Sequence, residues 1–374
     1  MKIKNIRLLH CLAPFVFGFH SPHLFRDRAD SVIIEIEFDN GIIGYGESAP
    51  RSYVTGETCS LVARHIREFC IGMLHGCELA SLSDIKRVLD GLEKELIRKA
   101  GMSYHSALGA LDIALMDALG KQLKKPVHEL IGPVVRTDIP HAASIPILTR
   151  EKFETIMNKF RDFLFSSIKV VMSPDEEDNL KRVNMVRDFF GDGMDIRVEA
   201  NGKWSREQAH SNLNRLREVG ITAVEQPLSP GDLDGMREIR NRTGLLVIAD
   251  ESLSTISDAR RLAESGACDI LNIKISKCGG LIRSRQIADF ASTRGLRCQL
   301  GSHVGETEVL SEAGMHFAKI LENLTFFEGC SHYFFEKFWE GGRPKLKEET
   351  GNSNFGLGID PQYRDFLDKY AVPC

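Results

Sequence analysis

The sequence predicts an α/β protein: a TIM-type barrel with an α+β segment ahead of it. Three observations predict this class. From about residue 138 onward, eight short apolar runs start roughly 22–30 residues apart, the period of a βα unit, and amphipathic stretches separate most of them. The residues before that point read as strands and then helices, without the alternation. Five consecutive apolar runs also close on an ionisable residue, which a sheet core does not need.

The elements follow in chain order. "MKIKNIRLLHCLAPFVFGF" opens with basic residues and an apolar stretch, as a signal peptide would. His10 and Pro14 interrupt that stretch, however, and no small-x-small cleavage site follows. The alternation in "KIKNIRLL" reads as a first strand, so secretion is not expected. "SVIIEIEF" (31–38), the turn "DNG" and "IIGYGE" (42–47) form a hairpin. Helical patterns cover about 57–72, 82–98 and 104–120. The last sets Ala107, Leu108, Leu111, Leu115 and Leu119 on one face, with Ser103 placed to cap it and Gly120 to end it. The barrel strands are then "HAASI", "SSIKVVM", "DIRVEA", "AVEQPL", "LLVIAD", "ILNIKIS", "RCQLGS" and "LTFFEG". Stretches such as "REQAHSNLNRLREVG" and "SDARRLAESGA" supply the helices between them. The closing segment, 340–374, is expected to pack back on the first portion.

Composition narrows the partners. The chain has 374 residues, 43% hydrophobic and 27% charged, and a net charge of −4. That balance offers no bulk attraction to nucleic acid or to an anionic membrane. No segment approaches the roughly 20 apolar residues of a membrane span. Nine cysteines, an odd number without a CxxC pair, fit reduced thiols in the cytoplasm and argue against structural zinc.

The chemistry lies at the strand ends. Lys169 ends the second barrel strand, Glu199 the third, Glu225 the fourth, Asp250 the fifth and Lys274 the sixth. In such barrels these ends converge on one mouth. Three carboxylates repel one another unless a cation sits among them, and an all-oxygen set suits a hard ion, Mg²⁺ in the first place with Mn²⁺ an alternative. Burial and a nearby divalent charge would let the two flanking lysines lose their protons near neutral pH. The arrangement suits removal of a proton next to a carboxylate, with the metal holding the enediolate that forms. Any one of these residues alone would read as a surface charge or a helix cap. Five at consecutive strand ends do not.

At this point the chain resembles the muconate-lactonizing subgroup of the enolase superfamily. "GYGESAP" and "VTGET" are similar to its capping domain, and "SALGALDIALMDALGKQLKKPVHELIG" to its domain-joining helix. "VEANGKW", "AVEQPL", "VIADES" and "NIKISKCGG" are similar to its barrel motifs. The resemblance implies a modified TIM (β/α)7β barrel with an α+β capping domain. The cap would span 1–132, completed by 340–374, and the barrel 133–339. It also implies Glu199, Glu225 and Asp250 as Mg²⁺ ligands and Lys169 and Lys274 as bases on opposite faces of a small carboxylate substrate. Asn201 and Glu251 would support the ligands from behind, and Lys277 would act from an outer layer or as a structural residue.

Three departures from the family pattern stand out. Glu199 occupies a position that usually holds Asp. The paired lysine motif reads Ser167-Ile168-Lys169, which removes a neighbouring positive charge. Where dipeptide epimerases carry Asp-x-Asp after the eighth strand, this chain has "FFEGCSH", leaving Glu328 as the candidate acid with Cys330 beside it. Specificity is expected from "FVFGFHSPHLFRDR" (15–28), with His20 and Arg26, from Arg51, and from "GSHVGETEVLSEAG" (301–314), with His303 and Glu306. The aromatics of the first stretch would serve equally to pack on the barrel rim.

The leading functional reading is a Mg²⁺-dependent racemase or epimerase with two lysine bases, on an amino-acid or dipeptide-like substrate. A cycloisomerase or β-elimination enzyme would use the same intermediate. A metal-binding homologue without catalysis, and a metal-dependent hydrolase, are the other classes. Barrels of this kind commonly oligomerise, so a homo-oligomer is expected.

Overall fold

The computed structural model describes residues 1–329 except 24, 102, 162 and 164, together with 335 and 355–374. Four antiparallel strands form the first sheet: β1 (Ile3–Cys11), β4 (Ser31–Phe38), β5 (Ile43–Ser48) and β14 (Ala371–Pro373), in the order β14-β1-β4-β5. The expected hairpin is present, with Val32 opposite Ser48 and Glu37 opposite Ile43. Between β1 and β4, residues expected as a loop form a small hairpin of β2 (Pro14–His20) and β3 (Phe25–Arg28).

Helix His105–Leu123 lies against this sheet. It was expected to show one apolar face, but every residue from His105 to Gly120 is buried. The helix is central, touching the sheet on one side and the barrel on another. Its packing explains the glycines of "GYGES": a Cβ on Gly44 or Gly46 would lie 2.2 or 2.0 Å from the carbonyl oxygens of Ala114 or Ala110. Gly120 does not end the helix. It lets the chain near Gly356 approach, since a Cβ there would stand 2.7 Å from the Gly356 Cα. Lys124, in the left-handed region at φ 54°, is the actual C-cap. Nor does Ser103 cap the start. The buried Glu57 carboxylate accepts the Ser106 N–H at 2.9 Å and the Ala107 N–H at 3.3 Å.

The second sheet contains eight parallel strands in sequence order: β6 (Ala142–Ile145), β7 (Ser167–Val171), β8 (Asp195–Glu199), β9 (Ala223–Glu225), β10 (Leu246–Ala249), β11 (Ile270–Ile273), β12 (Arg297–Leu300) and β13 (Leu324–Phe327). A helix follows each of the first seven. The ring closes where the Phe327 N–H donates to the Pro140 carbonyl at 3.0 Å and His141 bridges Phe327. This is a (β/α)7β barrel, and its strands are those expected from the apolar runs. Its floor is a small apolar cluster of Ala223, Ile248, Ile270 and Phe326, distinct from the large core between barrel and helices. Among the described residues no helix is long and apolar enough to cross a membrane.

Buried acids join the two sheets. Glu47, at the end of β5, accepts the N–H groups of Thr307 at 2.8 Å and Leu310 at 3.1 Å, at the start of barrel helix Glu308–Ala318. Asp112 likewise accepts the Ile282 N–H at 2.9 Å, at the start of helix Leu281–Thr293. The described part of the closing segment packs back as expected: Leu357 N–H donates to Asp117 at 2.8 Å, and β14 pairs with β1. Residues 340–354 lie outside the described set.

Two outcomes are expected. Glu47→Ala strands several buried donors and should cost about 1–3 kcal/mol in a urea titration. Burial pushes Asp112 up to about 7. The folded chain therefore keeps a proton there that the unfolded chain releases near pH 4, and stability falls as pH rises between those values. Asp112→Asn should flatten this part of the pH dependence, on the order of a few kcal/mol.

Candidate active site

Side-chain direction alternates along a strand, so a residue two before an inward-facing one also faces inward. Lys169 on β7 and Glu199 on β8 point into the barrel, and so does Arg197. At the strand ends the inward groups are ionised and nearly all buried. Lys169 Nζ lies 2.9 Å from Glu199, 3.0 Å from Glu225 and 2.8 Å from Glu328. Asp250 receives Lys274 Nζ at 2.6 Å on one carboxylate oxygen and Lys277 Nζ at 2.6 Å on the other. Lys277, fully buried, also donates to the backbone carbonyls of Asp250 at 2.7 Å and Asn272 at 3.1 Å. Lys277 is thus a support beneath Asp250.

The carboxylates divide into two groups. Oxygens of Glu199, Asp250 and Glu251 come within 4.8 Å of one another, close enough to share a metal ion. Glu225 sits lower, where it accepts from Asn272 at 2.6 Å, Gln299 at 3.0 Å and Lys169 at 3.0 Å. Asn201 links the first group, donating to Glu199 at 2.6 Å and Glu251 at 3.3 Å. Its φ of 49° is a left-handed conformation that Asn tolerates, at the turn after β8. A cation suits this set. Five acids (Glu199, Glu225, Asp250, Glu251, Glu328) face four cations (Lys169, Arg197, Lys274, Lys277), and Glu251 Oε2 is buried with no hydrogen-bond partner. Burial and the neighbouring Asp250 and Glu199 push Glu251 up to about 8, and burial pushes Glu225 up to about 7.

The lysines were expected to lose their protons through burial together with a divalent charge, and the protein's own carboxylates act in the opposite direction. Burial does pull Lys169 down, but Glu199, Glu225 and Glu328 outweigh it and hold the ammonium well above its ordinary value. Lys274 is likewise raised, burial being outweighed chiefly by Asp250. Three carboxylates at 2.8–3.0 Å on Lys169, and one at 2.6 Å on Lys274 with other acids nearby, exceed the desolvation cost of the ammonium.

A pocket opens above these groups, lined by Lys169, Lys274, Glu199, Asn201 and Glu328 of the barrel, with Ser144, Ser302, His303 and Val304 beside them. Phe19, Ser21, Arg26, Arg51 and Tyr53 close it from the N-terminal region. The small hairpin is tied down by the His23 ring, which donates to the Asn201 carbonyl at 3.1 Å and stacks on Tyr53 with centroids 4.2 Å apart. The Ile147 N–H also donates to the His20 carbonyl at 3.0 Å.

The specificity candidates separate by position. Arg26 and Arg51 line the pocket: Arg26 pairs with Asp30 at 2.9 Å, and buried Arg51 donates to the Val304 carbonyl at 2.6 Å. His303 lines it too, held well below its ordinary value by burial and by Lys274. His20 is exposed and packs on Phe25, because strand alternation gives the inward places to Phe19 and Ser21. Glu306 is absorbed by its own loop, accepting the His303 N–H at 2.7 Å. Glu328 faces the pocket with both oxygens engaged, by Lys169 and by Arg197. Cys330 lies outside the described residues. Arg197, Asn272, Gln299, Ser144 and Tyr53 were not anticipated. Arg197 and Asn272 were accessible to the period-two rule, each standing two residues before a chosen residue.

Residues 6–132 match the mandelate racemase / muconate lactonizing enzyme N-terminal domain, and residues 141–365 match the enolase C-terminal domain-like family. The chain is 32% identical to the N-succinyl-L-Arg/Lys racemase of Bacillus cereus, over 85% of this chain and 84% of the relative. The crystal structure of N-succinyl Arg/Lys racemase from that organism superposes with a TM-score of 0.88 at 29% identity, covering 100% of this chain and 98% of that one. The hydrophobic dipeptide epimerase of Enterococcus faecalis is 30% identical over 80% of this chain and 82% of the relative. A dipeptide epimerase structure from Enterococcus faecalis, complexed with Mg and L-Leu-L-Tyr, superposes with a TM-score of 0.82 at 26% identity, covering 90% of this chain and 92% of that one.

Lys277→Met should leave one Asp250 carboxylate oxygen without its donor and take the ammonium from the Asp250 and Asn272 carbonyls, the first of which keeps the Leu253 N–H at 3.0 Å. A loss of about 3 kcal/mol in denaturant unfolding is expected, since Lys274 still pairs with Asp250.

Proposed function

Because the chain belongs to the mandelate racemase / muconate lactonizing enzyme family, with its enolase-like C-terminal domain, we propose that it is a racemase or epimerase acting at the carbon next to a carboxylate. One observation carries the reading. Lys169 on β7 and Lys274 after β11 are four strands apart in an eight-stranded ring, so they reach one pocket from opposite sides. The α-carbon of a substrate held between them can give its proton to one lysine in its free-amine form. The planar carbanion that results can take a proton from the ammonium of the other lysine on the opposite face, which inverts the centre.

Glu199, Asp250 and either Glu225 or Glu251 are proposed to hold Mg²⁺, with Mn²⁺ a second hard cation of suitable chemistry. A bound divalent ion would stabilise charge on the substrate carboxylate and compensate the acids that otherwise hold the lysines protonated. Lys277 and Asn201 keep those acids in place, and the docked hairpin shields the pocket from bulk water.

The substrate is proposed to be an N-acylated amino acid with a second acidic group, of the N-succinyl type, in preference to a free dipeptide. Glu328 already serves two cations and is poorly disposed to take an ammonium group. Arg26 and Arg51 offer positive charge at the far side of the pocket. A reducing, cytoplasmic setting is proposed as well, since the eight described cysteines are free thiols.

The reading is tested by incubation in D₂O with N-succinyl amino acids and dipeptides. Wild type with Mg²⁺ should exchange the α-proton and interconvert the stereoisomers with no change of mass beyond the deuterium taken up. Lys169→Ala and Lys274→Ala should each abolish interconversion while keeping exchange for opposite isomers. A product whose elemental composition differs apart from that deuterium, or no exchange across the library, would overturn the reading. Glu225→Gln and Glu251→Gln, compared by calorimetric Mg²⁺ titration, identify the third ligand as the one whose loss weakens binding about 10-fold or more. Arg26→Met should raise KM for N-succinyl-lysine more than for N-acetyl-lysine.

A further inference from the structure

Below the pocket, five side chains from five strands close a hydrogen-bonded ring. Lys169 Nζ donates to Glu225 at 3.0 Å, and Gln299 Nε2 donates to the same Glu225 oxygen at 3.0 Å. Gln299 Oε1 accepts from Arg197 Nη1 at 2.5 Å. Arg197 Nη2 donates to Glu328 Oε1 at 2.9 Å, and Glu328 Oε2 returns to Lys169 Nζ at 2.8 Å. Arg197 is the member farthest from substrate. It has no solvent exposure, does not line the pocket, and lies over the Phe326 ring of the barrel floor at 3.9 Å. Its strand neighbour in register is Lys169 itself.

We infer that Arg197 is a positioning residue, which holds Glu328 against Lys169 and so fixes the reach of one of the two lysines. A buried guanidinium on a rigid apolar floor is a fixed fork, and both its bonds are directional. One arm pins Glu328 and the other pins Gln299, which in turn holds Glu225, so two of the three acids that grip Lys169 are set by one residue. Among the described residues no guanidinium stands behind Lys274, whose carboxylate partner Asp250 is held by the ammonium of Lys277. The control is therefore one-sided. Ser167, two residues before Lys169, is buried with an unpartnered hydroxyl and supplies no charge to that side. The cation nearest to Lys169 in register comes instead from the next strand.

The inference rests on the two-lysine reading, and its test separates the two. Exchange of the α-proton is measured in D₂O for the L and D forms of N-succinyl-lysine, or of whichever acid the screen above identifies. Arg197→Gln should slow exchange of the isomer whose proton faces Lys169 by 10-fold or more, and that of the other isomer by less than about threefold. Arg197→Lys, which keeps the charge but loses the fork, should fall between. Equal losses for both isomers would mean a general structural role and overturn the inference. If Lys169→Ala and Lys274→Ala themselves fail to split the isomers, the two-lysine reading is what fails. A readout independent of substrate uses ¹⁵N spectra of the lysine ammonium groups in folded Arg197→Lys. The Lys169 signal should move and the Lys274 signal stay, and two unchanged signals would overturn the inference.

Discussion

The structure depends on charge balance inside the barrel. A strand end in an apolar fold has no use for a carboxylate, yet five acids converge here with four cations among them. Each pair is close and buried, so removing any one partner leaves a desolvated charge that costs several kcal/mol. The geometry of the mouth is therefore over-determined. Asp250 cannot shift without releasing Lys274 and Lys277, nor Lys169 without releasing Glu199, Glu225 and Glu328. Such rigidity is what a site needs if it is to present two amines to one carbon.

The barrel interior is layered to make this possible. An apolar floor carries Arg197 against Phe326, a polar ring of Gln299, Asn272 and Glu225 lies above it, and the mobile-length side chains of Lys169 and Lys274 reach the pocket from there. The same device, a buried acid facing donors from another element, is used a second way at longer range. Glu47 and Asp112 cap barrel helices from the N-terminal region, so Arg26, Arg51 and Tyr53 are carried on a frame fixed to the barrel.

The strand pattern and the five strand-end residues were legible in the sequence because each depends on spacing alone. A βα period places residues at one mouth whatever the loops do. What the spacing could not supply was contact. Glu251 appeared as a support and proves to share the carboxylate cluster, whereas Glu225 lies lower among amide donors. His20 misses the pocket by one residue of strand parity, and Glu306 is taken up by its own loop. Helix His105–Leu123 looked amphipathic because its surface-like positions carry Asp, Ser and Gly. Asp112 and Asp117 accept N–H groups from other elements, and Gly109 and Gly120 admit close backbones, which no periodicity reveals.

The sequence by itself determined the fold class, the order of the strands and the identity of the ionisable residues at their ends, since these follow from local periods of hydrophobicity. Only the tertiary structure decided which acid faces which cation, and with it the charge state of the lysines. Those properties are sums over partners on different strands, each within about 3 Å, and burial makes the sum large. Lys169 was expected to lose its proton through burial together with a divalent charge. Three carboxylates from β8, β9 and the end of β13 reverse that sign.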